Sequence, residues 1–144
     1  MSLVECMVQV DYRKEIGEYL AEGEITTIDI PNDFLKINPV CFSSAGTKIY
    51  LMPVGRNFNK VLRYAEKHGL FPANTFIAAA YIANNKVSLK DKQIISPVII
   101  DGCVAVFGHS LDHLNTAETR ELSAYRVDTI GLRGDLAIFV KNKS

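Results

Sequence analysis

Two apolar runs separated by Asp101-Gly102 form the clearest hydrophobic pattern in the chain. An Asp-Gly pair at this spacing predicts a two-residue type I′ turn, because both turn residues must accept a positive φ. Counting back from the turn places Pro97 opposite Val106 and leaves apolar side chains on both faces of the ribbon. Such a ribbon needs cover on both faces. Because proline has no N–H to offer a further strand, we expect an edge, a bulge or a strand end near Pro97.

The segment from residue 57 to 68 has the periodicity of an amphipathic helix, with apolar positions at helical spacing and polar positions opposite them. Asn57 is a favourable N-cap, and Gly69 suits the position just after the helix. Leu70 is placed to fold back on Ala65 at that end. We expect this helix to cover one face of the sheet.

Residues 74–83 give an ambiguous signal, because the segment is almost continuously apolar. Its alanines favour a helix. Asn84-Asn85, followed by the alternating apolar residues Val87 and Leu89, is typical of a tight hairpin. We interpret residues 74–83 as a strand.

Shorter patterns complete the set of elements. Alternation or β-branched composition predicts strands at residues 3–10, 24–30, 40–42, 48–52, 125–127 and 136–140. A short helix capped by Asp11 and ended by Gly23 is expected, with Ile16, Tyr19 and Leu20 on one stripe. A loop or one helical turn is expected at residues 109–115, and a capping-box spacing predicts a further short helix from 115 to 122.

These elements predict an α+β fold in a single domain over residues 1–144. A largely antiparallel sheet of several short strands and hairpins packs with the amphipathic helix at 57–68 and one or two shorter helices. Apolar strands on two faces exceed what one helix can cover. We therefore expect the chain to form a homo-oligomer.

Composition narrows the class of protein. Hydrophobic residues make up 48% of the 144 residues and charged residues 22%, as in ordinary globular domains. The formal net charge is zero, which removes the usual signature of a nucleic-acid partner and favours self-association. No apolar stretch approaches the roughly 18 residues of a membrane span, and the start lacks a signal-peptide pattern. We expect a soluble, cytoplasmic protein without a membrane partner.

One candidate catalytic or metal site consists of His109, Asp112 and His113. The histidines are four residues apart, so a helical turn would bring them to one face, and Asp112 could be a third ligand or orient an imidazole. The plainer interpretation is a capped turn whose polar side chains face water. The three cysteines show no C-x-x-C spacing and are interpreted as buried thiols rather than a disulfide framework, a zinc site or a thiol nucleophile.

A second candidate is a ligand or anion site at Arg56, Asn57 and Lys60. Backbone amides at a helix N-terminus and a nearby guanidinium favour an anion. A plain loop and cap is the simpler interpretation. Arg63 on the same helix extends the hypothesis to a nucleic-acid contact, which the neutral charge balance disfavours.

The sequence therefore leaves two functional hypotheses open. The first is a small binding or interaction domain that self-associates and binds an unidentified small molecule or protein partner, with no cofactor. The alternative is a small hydrolase that uses His109, Asp112 and His113 as acid-base groups or as ligands of a divalent metal.

Overall fold

The computed structural model describes residues 3–36, 46–90, 92–111, 118–130 and 135–141. Its helices are α1 (Ile16–Glu22), α2 (Phe58–Lys67) and α3 (Thr75–Asn85), with short 3-10 turns at Asn32–Phe34 and Val127–Thr129. Its strands are β1 (Val4–Val8), β2 (Thr27–Asp29), β3 (Thr47–Pro53), β4 (Phe71–Pro72), β5 (Ile94–Ile100), β6 (Cys103–Leu111), β7 (Glu118–Arg126) and β8 (Leu136–Val140).

The strands form one mixed sheet in the order β1-β3-β8-β5-β6-β7-β2, and β4 also pairs with β8. Most neighbours are antiparallel, as predicted, so the α+β class and the antiparallel majority are confirmed. The β5–β8 and β2–β7 pairs are parallel. The sheet is mixed because β8 inserts between β3 and β5, which run in opposite directions.

The central hairpin forms where the Asp-Gly pair predicts it. Asp101 has φ 52° and Gly102 φ 76°, so both turn residues occupy the left-handed region. The uninterrupted register is wrong, because Ile95 rather than Pro97 lies opposite Val106 and the ladder shifts between residues 96 and 100. The irregularity expected near Pro97 is confirmed. The parallel ladder with β8 also ends at Ile95, before the residue that has no N–H to donate.

Each face of the sheet is covered by helices of the same chain. Ile94 and Ile95 are both fully buried, but they belong to different apolar clusters because successive strand residues point to opposite faces. The first cluster packs under α1 and α3 and includes Phe76, Phe107, Leu122 and Ile138. The second packs under α2 and includes Met52, Phe58, Val61, Val106 and Phe139.

The strand predicted at residues 74–83 is wrong, because this segment forms most of α3. All residues from Thr75 to Ile82 are buried, since the helix packs against both the sheet and α1. A helix covered on all sides is apolar on all sides, so it shows no helical periodicity. Asn74 caps its start, and Lys86, with φ 47°, ends it where a hairpin was expected.

The sheet faces no longer give a reason to expect a homo-oligomer. The 57–68 helix is not the only sizeable cover for two apolar faces, because α3 and α1 cover the second face. Any self-association therefore needs another surface.

The sequence-based prediction for α2 is confirmed. The Asn57 side chain accepts a hydrogen bond from the Lys60 amide at 3.2 Å. Gly69 has φ 70°, and the Leu70 amide donates to the Ala65 carbonyl at 2.9 Å, which closes the helix as expected.

The loop or helical turn expected at residues 109–115 and the helix expected from 115 to 122 are both wrong where the structure describes them. β6 continues to Leu111, and β7 pairs with it from Glu118 to Arg126. A capping box is a local signal, and a ladder spanning nine residues of each strand outweighs it. The strand predicted at residues 40–42 lies outside the described residues. None of the helices within the described ranges has the length and apolarity needed to span a bilayer.

Candidate functional site

A cleft of about 410 Å³ lies at the N-terminal end of α2, and we call it the arginine cleft. Three separate parts of the chain line it: the first turn of α2, the β5–β6 turn, and the segment after β7. The lining residues are Arg56, Asn57, Phe58, Asn59, Gly102, Arg126, Val127, Asp128 and Ile130.

Hydrogen bonds fix the segments that line the arginine cleft. The Val127 amide donates to the Gly102 carbonyl at 3.0 Å, which ties the 3-10 turn after β7 to the hairpin turn. Thr129 Oγ1 donates to the Arg126 carbonyl at 2.7 Å. On the opposite wall the Asn57 cap fixes where α2 begins. The cleft is therefore bounded by segments with defined backbone conformations.

The rim of the arginine cleft is mainly cationic. Arg126 Nε lies 3.5 Å from Asp128 Oδ1, and the two side chains are 75% and 71% exposed. An ion pair this exposed is weak and gives way readily to another anion. Arg56 is exposed and has no ion pair within the described ranges. The first-turn amides of α2 add partial positive charge on the same side.

The floor of the arginine cleft is apolar. Phe58 is 4% exposed and Ile130 8%, and both belong to the cluster beneath α2. Val127 packs against the same cluster. An apolar floor below a cationic rim suits a ligand that joins an anionic group to a hydrophobic or aromatic body.

A second groove of about 410 Å³ runs along the other side of the α2 N-terminus. It shares Asn57 and Asn59 with the arginine cleft and adds Leu62, Arg63 and Glu66. Of the described residues that line this groove, one is a guanidinium and one a carboxylate, which makes the groove less favourable for an anion than the arginine cleft.

The structure brings two of the predicted anion-site residues, Arg56 and Asn57, into the arginine cleft. Lys60 lines neither depression and is exposed on α2. The anion-site assignment stays a prediction. Sequence reasoning missed Arg126, Asp128 and Ile130, because only the β6–β7 pairing brings them beside Gly102.

His109 lies near the end of β6, half-buried, opposite Arg120 of β7. Its Nδ1 is 2.6 Å from the Leu89 carbonyl oxygen, so Nδ1 donates the hydrogen bond and Nε2 is the nitrogen left for other chemistry. Arg120 Nε donates to the Gly23 carbonyl at 3.1 Å, on the side of the sheet that α1 and α3 cover.

The other two members of the predicted catalytic or metal site, Asp112 and His113, lie outside the described residues. Within the described ranges no cluster of three or more His, Cys, Asp or Glu side chains is arranged to hold a metal ion. The site at His109, Asp112 and His113 therefore stays a prediction. Cys6 and Cys103 are free thiols, and both are half-buried rather than fully buried. Cys41 lies outside the described ranges.

No protein-family model matches the chain, and it has no significant match among the curated proteins or the solved structures.

Proposed function

We propose that this chain is a binding domain that self-associates and holds a small amphipathic anion in the arginine cleft. One observation supports the ligand most strongly: Arg56 and Arg126, far apart in sequence, line one cleft together with the first turn of α2. Guanidinium groups are preferred wherever a phosphate or carboxylate is bound by paired hydrogen bonds.

The charges and size of the arginine cleft agree with this proposal. Among the described residues, two guanidinium groups and one carboxylate line it, and the N-terminal end of α2 adds about half a positive charge. A hydrogen bond to a charged group contributes about 1.5 to 3 kcal/mol. The volume of about 410 Å³ falls within the usual range of small-molecule sites.

Phenyl phosphate is a suitable first probe, because it joins a phosphate to an aromatic ring. We expect it to shift the backbone amide NMR signals of residues 57–59, Gly102 and 126–130. Inorganic phosphate should bind more weakly, since it leaves the apolar floor of Phe58 and Ile130 uncovered.

Arg56→Gln and Arg126→Gln should each weaken binding of phenyl phosphate about tenfold, the loss expected for one charge-assisted contact. Arg63→Gln is the matched control, because it removes the same charge from a nearby position on α2 that lies outside the arginine cleft. If all three variants weaken binding equally, the effect is nonspecific and the proposed cleft is wrong. Absence of chemical shift changes would also contradict it.

Self-association is supported by the zero net charge, which gives no long-range repulsion between copies. It is no longer supported by uncovered sheet faces. Light scattering at micromolar concentration tests it directly, and a monodisperse monomer would refute this part of the proposal.

The alternative function is a hydrolase that uses His109, Asp112 and His113, with or without a divalent metal. The hydrogen bond of His109 Nδ1 to the Leu89 carbonyl favours it, because backbone anchoring of one nitrogen orients the other toward a metal or a proton. Zinc titration followed by calorimetry tests it. Stoichiometric binding that is lost in both His109→Ala and His113→Ala would support this alternative, and no binding would dismiss the metal.

A further inference from the structure

β1 forms one end of the sheet order and pairs with β3 on one side only. Among the described residues nothing pairs with its outer edge. Val4 is 56% exposed and Met7 57%, and Leu3 just before the strand is also exposed. β1 therefore presents unpaired backbone groups together with apolar side chains.

The two ends of the sheet differ. Exposed edge strands are normally kept short or protected by lysine, proline or a bulge. β2, at the opposite end, has three residues and ends in the charged Asp29. β1 has five residues, contains no lysine, proline or bulge, and has Glu5 as its one charged residue. With one long open edge, pairing closes at two copies rather than continuing into a fibre.

We infer that β1 of a second copy occupies this edge, running antiparallel about a two-fold axis at Cys6. The inference rests on the self-association proposed above and names its surface. In this register Cys6 lies opposite Cys6 of the second copy, Glu5 opposite Met7, and Val4 opposite Val8. All five residues of β1 pair, because Cys6 is the middle of the strand.

The charges along β1 are compatible with this register. Glu5 is the only charged residue of β1, and Lys48 Nζ lies 3.6 Å from its Oε1. Opposite Met7, Glu5 faces no like charge. An axis at Glu5 would place two carboxylates opposite each other and would leave part of the strand unpaired. Cys6 is therefore the favoured centre.

Oxidation tests the register directly. Opposed residues in an antiparallel pair have Cα atoms about 4.5 to 5.5 Å apart, which is within the range that a disulfide needs. A Cys41→Ser/Cys103→Ser double variant retains Cys6 alone and should form a covalent dimer with diamide on a non-reducing gel. The matched Cys6→Ser/Cys41→Ser variant retains the half-buried Cys103 and should remain monomeric on the same gel.

Charge substitution tests the same edge without oxidation. Met7→Glu places a carboxylate opposite Glu5 at both symmetry-related positions and should weaken dimerisation about tenfold in sedimentation experiments. Ile28→Glu is the matched control, since Ile28 is also exposed, at 48%, but lies on the opposite edge. Adding Glu5→Lys to Met7→Glu restores opposite charges across the axis and should restore the dimer. Circular dichroism of each variant checks that the fold is retained.

The outcomes separate this inference from the proposal on which it rests. A monomeric wild-type protein overturns both. A dimer that tolerates Met7→Glu and does not crosslink through Cys6 overturns the β1 interface but leaves self-association standing. A dimer lost in Met7→Glu, retained in Ile28→Glu and restored by the charge swap supports the β1 pairing.

Discussion

Ser96 forms a buried hydrogen bond that links β5 to the segment leading into α3. Its Oγ donates to the Ala73 carbonyl at 2.7 Å, and Ser96 and Ala73 are 1% and 0% exposed. The Ala73 amide in turn donates to the Ile138 carbonyl of β8 at 3.0 Å. These two bonds hold Ala73, two residues before α3 begins, against the centre of the sheet.

We predict that Ser96→Ala lowers the free energy of unfolding by about 2 kcal/mol. An average hydrogen bond contributes about 1 kcal/mol net, but removing the hydroxyl leaves the buried Ala73 carbonyl without its donor, which costs about 1 to 3 kcal/mol. For a domain of this size the loss corresponds to about 4 to 8 °C in Tm. Against a total stability of about 5 to 15 kcal/mol, this is a large fraction.

Urea denaturation followed by far-ultraviolet circular dichroism measures this change. Ser123→Ala is the matched control, because Ser123 lies on β7 and its hydroxyl has no hydrogen-bond partner within the described ranges. A change of less than about 0.5 kcal/mol in Ser96→Ala, the usual limit for surface substitutions, would refute the reasoning that this bond anchors α3.

Three further predictions follow from the structure. Asn74→Ala should lower the free energy of unfolding, measured by urea denaturation, by about 1 kcal/mol. The loss should be larger than in Asn57→Ala, because the hydrogen bond from the Ile77 amide to the Asn74 side chain is shorter and part-buried. The reverse order would contradict this reasoning. Burial and, secondarily, the Cys6 side chain raise the pKa of Tyr81 above its ordinary 10.0, so its contribution to stability is complete below about pH 10 and is lost as the pH rises further. Tyr81→Phe should therefore reduce the alkaline loss of stability, and an unchanged pH profile would count against it. Asp128→Asn should tighten phenyl phosphate binding about three- to fivefold, because it removes the carboxylate that competes for Arg126; weaker binding would contradict this competition.

Local signals were sufficient where the relevant contacts lie close in the chain. The turn at Asp101-Gly102 needs only two residues that accept a positive φ, and both Asp101 and Gly102 have a positive φ in the structure. The capping residues and the apolar periodicity that determine α2 likewise lie within about a dozen consecutive residues. The last strand, β8, also has the predicted bounds, Leu136–Val140.

Local signals failed where burial depends on distant partners. Residues 74–83 show no helical periodicity, because α1 and the sheet cover α3 on several sides. The capping box at 115–118 predicted a helix, but β7 begins at Glu118 because β6 offers a long antiparallel partner. In both cases the neighbour that decides the structure is absent from the local pattern.

The candidate site divides in the same way. Arg56 and Asn57 could be identified from sequence, because a loop leading into a capped helix is a local feature. The rest of the cleft could not be identified in this way, namely Arg126, Asp128 and Ile130. These residues come near the start of α2 only through the β6–β7 ladder and the hydrogen bond from the Val127 amide to the Gly102 carbonyl.

The amino-acid sequence by itself determined the central turn, the amphipathic helix, the class of fold and a sheet with two apolar faces. These properties follow from backbone preference and from the period of apolar residues, which a short segment contains in full. Only the tertiary structure decided the mixed strand order, the burial of α3 and the cleft with two arginines. These depend on which surfaces meet after the chain folds, and the sheet ladder brings together residues that are far apart in the chain.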